Sequence, residues 1–488
     1  MNSSMIRVIL GHVLRIEAAF LMLPCLVALI YGERNGYIYL ITAGFCALMG
    51  VLMTFRKPRE SAIYLKEGCV ATALSWIVLS LFGALPFWLT GEIPSYIDSL
   101  FETISGFTTT GASIVDRVEE LSKCSLFWRS FTHWLGGMGV LVFLLAVIPL
   151  SGGSNINLMR AESPGPSVGK LVPKIKSSAR ILYVIYFFMT LAEMILLKLG
   201  GMSFFEAITL SFGTAGTGGF GVLSDSIASY SHYCQWVITV FMILFGINFN
   251  AYYFIILGKI KQAFLMEEVR WYLGIVLVAV TSISFNIYSL YGNVSDTIRN
   301  AGFQVASIIT TTGYATADFD LWPMTSKVIL VMLMFVGACA GSTGGGIKVS
   351  RIVIMFKTVK KELKTYIHPK SIKKIMFEDK PVEHEVLRAI NVYLITYIII
   401  FFASLLIVSF ENYDFGTIFT AVVATFNNIG PGLSMVGPTR NFAFFGDVSK
   451  IVLMFDMLAG RLELFPLLIL FNPHVIKDLI LTGRKRHG

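Results

Sequence analysis

Hydrophobic residues in this chain come in long unbroken runs, not in the amphipathic spacing of a water-soluble fold. A hydrocarbon layer about 30 Å thick is crossed by a helix of about 20 apolar residues. Ten runs reach that length, at roughly 8–31, 36–55, 69–90, 125–149, 181–200, 233–258, 271–292, 326–347, 386–410 and 446–471. The expected fold class is an all-α integral membrane protein with ten transmembrane helices. The first run, Val8 to Ile30, lacks a convincing small-residue cleavage site and is followed at once by Gly36 to Phe55. Both read as retained spans and not as a signal peptide.

Four segments between the runs share one pattern. After the third, fifth, seventh and ninth runs comes a moderately apolar stretch too short to cross a membrane, at roughly 97–107, 203–213, 296–309 and 414–426. Each is expected to be a short helix. A Gly cluster with Thr or Asn follows it: S-G-F-T-T-T-G-A-S at 105–113, G-T-A-G-T-G-G-F-G at 213–221, I-T-T-T-G-Y-A-T at 309–316 and F-N-N-I-G-P-G-L-S at 426–434. The unit of span, short helix, loop and span thus occurs four times after two extra N-terminal spans. The domain reading is 1–66 for the extra spans, then repeats at 67–160, 161–262, 263–384 and 385–488. The third repeat has an interrupted second helix and a basic cytoplasmic segment. A pseudo-fourfold arrangement, with four loops meeting on one axis, gives such repetition a geometric reason.

The chemistry of the loops suits a cation. Irregular backbone at membrane depth is tolerated where protein buries it or where it lines a water cavity. There its carbonyls can replace the hydration shell of an ion. Glycine permits the φ > 0 conformations that aim consecutive carbonyls one way. A short helix ending at the axis directs its partly negative C-terminal end at a cation. No carboxylate lies in any of the four clusters. A neutral carbonyl ring suits a weakly hydrated monovalent ion such as K⁺ better than Ca²⁺ or Mg²⁺. It does not by itself decide between K⁺ and Na⁺. The bland alternative is helix-packing glycines, which four clusters in register disfavour.

Charge sets the orientation. With the N-terminus in the cytoplasm, basic residues gather in every second loop, as the positive-inside rule requires. They are Arg56, Lys57, Arg59 and Lys66; Arg160, Lys170, Lys174, Lys176 and Arg180; Lys259, Lys261 and Arg270; and a stretch from Lys348 to Lys374. The C-terminus, with Arg484, Lys485 and Arg486, falls on the same side. Topology thus accounts for most of the net charge of +9, and nucleic-acid binding is not needed. The chain is 55% hydrophobic and only 14% charged, against about 25% charged in soluble domains. That excludes a soluble enzyme. Cys25, Cys46, Cys69, Cys124, Cys234 and Cys339 are widely spaced with no C-x-x-C pair, so they read as buried hydrophobes.

With these loops, W-L-G-G-M-G at 134–139, G-A-C-A-G-S-T-G-G-G-I-K at 337–348 and G-R-L-E-L-F-P at 460–466, the chain resembles the Trk/Ktr/HKT potassium transporter family, in particular its TrkH-type membrane subunits. The resemblance covers nearly the whole chain. It implies a potassium-uptake subunit that is a homodimer in the bacterial inner membrane, with lipid around it and one pore per protomer. It further implies gating by a TrkA-type cytoplasmic nucleotide-binding subunit, with K⁺ as the transported ion and no organic cofactor in this chain. Carried over, the signature glycines fall on Gly111, Gly219, Gly313 and Gly430. The other ion-facing carbonyls would come from Thr109, Thr110, Thr217, Gly218, Thr311, Thr312, Asn428 and Ile429. Gly111 and Gly313 lie 10 residues after Phe101 and Phe303, whereas Gly219 lies 14 after Phe205, so Gly216 is an alternative register.

Two further features are expected to form a gate. Gly341, Ser342, Thr343, Gly344, Gly345 and Gly346 interrupt the eighth run, and the resemblance makes them an intramembrane loop. Arg461 lies inside the tenth run, where a charge is expensive and usually functional. The alternatives are a close helix crossing for the glycines, and a structural pair with Asp456 or Glu463 for the arginine. Gly216 to Gly221 matches G-x-G-x-x-G but has no βαβ context. Gly341 to Lys348 misses a P-loop by one residue. His133 reads as a packing or hydrogen-bonding residue and Glu193 as a buried structural acid. A secondary transporter coupling K⁺ to H⁺ or Na⁺ remains the competing function. A membrane enzyme would need a cluster of His, Cys or carboxylates, and none is visible.

Overall fold

The computed structural model describes residues 1–58, 63–139, 175–369 and 374–484, without the side chains of 175–179 and 479–484. Arg59, Arg160, Lys170, Lys174, Lys370, Lys373, Lys485 and Arg486 lie outside the described residues, as do residues 140–149 and the expected boundary at 160/161. Among the described residues the regular secondary structure is helical apart from one hairpin, Met376–Phe377 with Lys380–Pro381.

Six described helices are long and apolar enough to cross a membrane: Ser3–Tyr31, Gly36–Thr54, Leu65–Leu89, Arg180–Leu199, Glu267–Tyr291 and His384–Ser409. Their outer faces carry large exposed side chains, among them Leu29, Leu52, Leu277 and Phe285. Water would penalise such a surface and lipid would not. The first two helices pack backbone to backbone. A Cβ on Gly11 would come within 2.9 Å of the Gly50 carbonyl oxygen, and one on Gly50 within 2.7 Å of that of Gly11. Small residues give this close approach in lipid, where no hydrophobic force drives helices together.

Three expected spans are not continuous helices. The run at 233–258 breaks into His232–Phe245 and Phe249–Ile256, bent by 91°. Asn248 accepts from the Asn250 amide at 3.0 Å and so starts the second piece as its cap. The run at 326–347 is helical only over Met324–Val336, because Gly337, Gly341 and Gly346 take positive φ. The run at 446–471 stops at Arg461, where Glu463 and Leu464 are left-handed in succession. The break in the run at 326–347 falls where its glycines placed an interruption, whereas hydropathy reads composition and does not register the turns at 246–248 and 463–464. Of the run at 125–149, the helix Lys123–Met138 covers the first part.

The four short helices are Tyr96–Phe107, Phe204–Gly216, Val294–Ile309 and Phe415–Phe426. Each starts at a side chain that caps its free amides: Ser95, Ser203, Asn293 and Asp414. Ser203 and Glu206 form a reciprocal capping box. The Thr417 hydroxyl and amide hold the Asp414 carboxyl below the usual carboxylate range. Apolar packing then buries the helices. The first, third and fourth enter the largest core, with Phe101, Ile308 and Phe426. The second packs Ala207 and Leu210 against Phe303 and Tyr314 of the third repeat.

Candidate functional site

The four loops leave their helices in the same way. Thr109, Thr217, Thr311 and Asn428 are left-handed, with φ of +55°, +54°, +59° and +56°. Two residues later Gly111, Gly219, Gly313 and Gly430 have φ of +78°, +81°, +85° and +94°. The residue between, Thr110, Gly218, Thr312 or Ile429, is not left-handed. Its amide reaches back five residues in every loop: to the carbonyls of Ser105, Gly213, Ser307 and Ala424 at 2.9, 2.8, 2.8 and 2.8 Å. A β-branched threonine at positive φ is strained, and these bonds hold it. Hydroxyl pairs add to this in the first and third loops, Thr108 with Thr110 at 2.7 Å and Thr310 with Thr312 at 2.8 Å. In the fourth, Asn428 Nδ2 donates to Thr110 Oγ1 at 3.0 Å and to the Met457 carbonyl at 2.9 Å.

The same geometry fixes the register of the second loop. Gly219 has the position of the other three glycines, and Gly216 is the last residue of the short helix. The residue ten before Gly219 is Thr209, so Phe205 does not correspond to Phe101 and Phe303.

The loops meet in a closed ring. A Cβ on Gly111 would strike the carbonyl oxygen of Gly218, one on Gly219 that of Thr312, and one on Gly313 that of Ile429. One on Gly430 would lie 2.7 Å from that of Thr110, which returns to the first loop. Each glycine thus abuts the carbonyl just before the glycine of the next loop. All four glycines also line one cavity of about 130 Å³, together with Ser113, Asp116 and Arg440. The threonines, Asn428 and Ile429 of the loops are buried.

A second irregular segment lies against the helix-side ends of the third and fourth loops. The Gly345 amide donates to Thr311 Oγ1 at 2.6 Å. A Cβ on Gly344 would lie 2.9 Å from the Thr310 carbonyl oxygen, and one on Gly345 2.5 Å from that of Asn427. Arg461 donates to the carbonyls of Thr343 at 2.9 Å and Gly137 at 2.9 Å, and also to Gly136. The arginine therefore bridges the segment to the C-terminal end of the helix Lys123–Met138. The carboxylates of the alternative reading are engaged elsewhere: Asp456 accepts from Ser404 at 2.6 Å, and Glu463 pairs with Arg351.

Two buried residues that sequence reasoning did not single out hold the segment. The Glu268 carboxylate accepts from the Ala340 amide at 2.7 Å, the Ser350 amide at 3.1 Å and Asn248 Nδ2 at 3.2 Å. Lys348 turns back to donate to the Gly344 carbonyl. Glu268 sits at the edge of an apolar run, where a charge is easily taken for solvated, so the sequence offered little signal. His133 is buried and hydrogen-bonded on both ring nitrogens, and Glu193 is buried. The cysteines are free. Among the described residues no group of three His, Cys, Asp or Glu side chains could hold a metal ion.

A family model described as "TrkH: Cation transport protein" matches residues 37–476. The Trk system potassium uptake protein TrkH of Salmonella typhimurium is 35% identical over 473 residues, covering 95% of this chain and 97% of that protein. The Trk system potassium uptake protein TrkG of Escherichia coli is 33% identical over 488 residues, covering 97% and 99%. The crystal structure of the potassium transporter TrkH from Vibrio parahaemolyticus superposes with a TM-score of 0.87 at 32% identity, covering 97% of this chain and all of that one.

Proposed function

The chain belongs to the TrkH family of cation transport proteins, and from that premise we propose that it is the ion-conducting membrane subunit of a potassium-uptake system. The closed ring of Gly111, Gly219, Gly313 and Gly430 carries this reading. The left-handed residue and the glycine in each loop alternate with a residue of ordinary φ, so successive carbonyls turn to the same side. K⁺ passes between those carbonyls, from Thr109, Thr110, Thr217, Gly218, Thr311, Thr312, Asn428, Ile429 and the four glycines. Four short helices end at the ring, each contributing about half a negative elementary charge. The repeats are four pore units in a ten-span fold, at 67–160, 161–262, 263–384 and 385–488. The cavity beyond the glycines is the outer mouth, and both termini are cytoplasmic in a bacterial inner membrane. If the ring selects the ion, Gly111→Ala and Gly313→Ala should each lower K⁺ over Na⁺ selectivity roughly tenfold, since an L side chain at this φ costs about 1–2 kcal/mol. Normal expression with unchanged selectivity in both variants would refute the filter.

The segment from Gly341 to Gly346 and Arg461 form the gate. It underlies the third and fourth loops, and the guanidinium ties it to Gly136 and Gly137. A positive charge in a cation path repels the ion, and the planar fork holds several carbonyls at once. Arg461→Ala should raise K⁺ flux several-fold in the absence of any cytoplasmic partner. Lower flux from an intact protein would remove the arginine from the gate.

A TrkA-type cytoplasmic nucleotide-binding subunit controls this gate in a homodimer. The helix Val349–Ile367 begins where the gate segment ends, and Arg351 in its first turn pairs with Glu463, two residues beyond Arg461. A pull on that helix reaches both gate elements. Farther along it Lys357, Lys360, Lys361 and Lys364 line a groove of about 240 Å³ with Lys374. Charge reversal at Lys360, Lys361 and Lys364 should weaken co-purification with the regulatory subunit and reduce nucleotide-dependent flux. Full binding and full regulation in that triple variant would exclude the groove from the interface.

A further inference from the structure

The second loop lacks the side chains that brace the others. Where the first and third loops have a hydroxyl pair, it has Thr217-Gly218-Gly219. Its backbone beyond the glycine is held by side chains from other repeats. Tyr314 of the third loop donates to the Leu210 carbonyl at 3.1 Å and the Phe220 carbonyl at 3.4 Å. From the other side come Arg129 and His133, four residues apart and so on one face of the helix Lys123–Met138. The Phe220 amide donates to His133 Nε2 at 3.3 Å, which leaves Nδ1 to carry the ring proton and donate to the Gly106 carbonyl at 2.8 Å.

Arg129 joins two loops. Its Nε donates to Glu102 Oε1 at 2.7 Å, its Nη2 to Ser113 Oγ at 3.2 Å, and its Nη1 to the Gly221 carbonyl at 3.2 Å. The guanidinium carbon lies 4.0 Å from the centre of the Phe220 ring. Glu102 in turn accepts from the Ile114 amide at 3.0 Å and from Ser113 Oγ at 3.0 Å. The arginine side chain is 2% exposed and the glutamate 0%. An ion pair this deep is costly unless hydrogen bonds satisfy its members, and the added partners here are the residues just past Gly111 and Gly219.

We propose that Arg129 is a positioning residue for ion selectivity: with Glu102 as its buried counter-charge, it locks the second loop to the first and so sets the spacing of the ring on that side. The proposal rests on the filter reading above. A fork-shaped, flat cation is required, because it must meet a carboxylate, a hydroxyl and a carbonyl while lying on an aromatic face. Lysine keeps the charge but has no such fork.

The test measures K⁺ and Na⁺ flux through wild-type, Arg129→Lys, Glu102→Gln and Gly313→Ala proteins in liposomes, with melting temperature as the control for folding. Arg129→Lys should still conduct K⁺ while its K⁺ over Na⁺ ratio falls roughly fivefold, the effect of losing one net hydrogen bond at the loop. Glu102→Gln leaves the arginine buried without its counter-charge and should shift the ratio the same way. A wild-type ratio in folded Arg129→Lys overturns the proposal. If Arg129→Lys does not fold, a wild-type ratio in Glu102→Gln overturns it instead. Loss of selectivity in Gly313→Ala alone leaves the filter standing without this strut. Unchanged selectivity in all three variants removes the filter and the strut together.

Discussion

Everything else in this structure serves the close approach of four glycines to four carbonyls. At Gly111, Gly219, Gly313 and Gly430 the α-carbon lies so near the next loop that no side chain fits. Each of these residues is also left-handed, where glycine alone is unstrained. Both demands must be met four times for the ring to close. The short helices deliver them: each is capped at its start, buried over most of its length beyond the first turn, and ends where an amide reaches back five residues to fix the turn. A single misplaced loop would open the ring, which explains why loops of different sequence share one backbone.

The loops reach one backbone by different chemistry. Threonine hydroxyl pairs brace the first and third, and an asparagine amide ties the fourth to Thr110 and Met457. The second depends on Arg129, His133 and Tyr314, all supplied by other repeats. Beneath the ring, the segment around Gly344 has the opposite logic. It is held mainly by charged residues, Glu268, Lys348 and Arg461, bonded to its backbone. Such groups are expensive in lipid and hold the backbone of a segment that glycine leaves free to turn.

Much of this arrangement was legible in the sequence, and the failures share a cause. The four short helices and their glycines could be read because short apolar stretches and Gly clusters recur in order. The second register was ambiguous because it was measured from Phe205, a residue with no counterpart in the other helices. Two apolar runs read as full spans yet break, at Gly246 to Asn248 and at Glu463-Leu464, and the interruption read at 341–346 in a third extends from Gly337 to Lys348. Hydropathy responds to side chains, whereas these breaks are made by backbone angles. Arg461 stood out as a charge in an apolar run. That its partners are carbonyls and not Asp456 or Glu463 depends on a fold that brings residues 136, 343 and 461 together. The pair of Glu102 and Arg129 was missed because its members are 27 residues apart on different helices.

On the proposed function, a neutral ring of backbone carbonyls selects the ion by replacing its hydration shell. The most direct measurement is ion flux through the purified protein in liposomes, with K⁺, Rb⁺, Na⁺ and Li⁺ compared under equal gradients and at one pH. A carbonyl ring of this kind predicts that K⁺ and Rb⁺ pass faster than Na⁺, and Li⁺ slowest of all, because the smaller ions hold their water more tightly. Equal flux for all four ions, or Na⁺ and Li⁺ passing faster than K⁺, would contradict it.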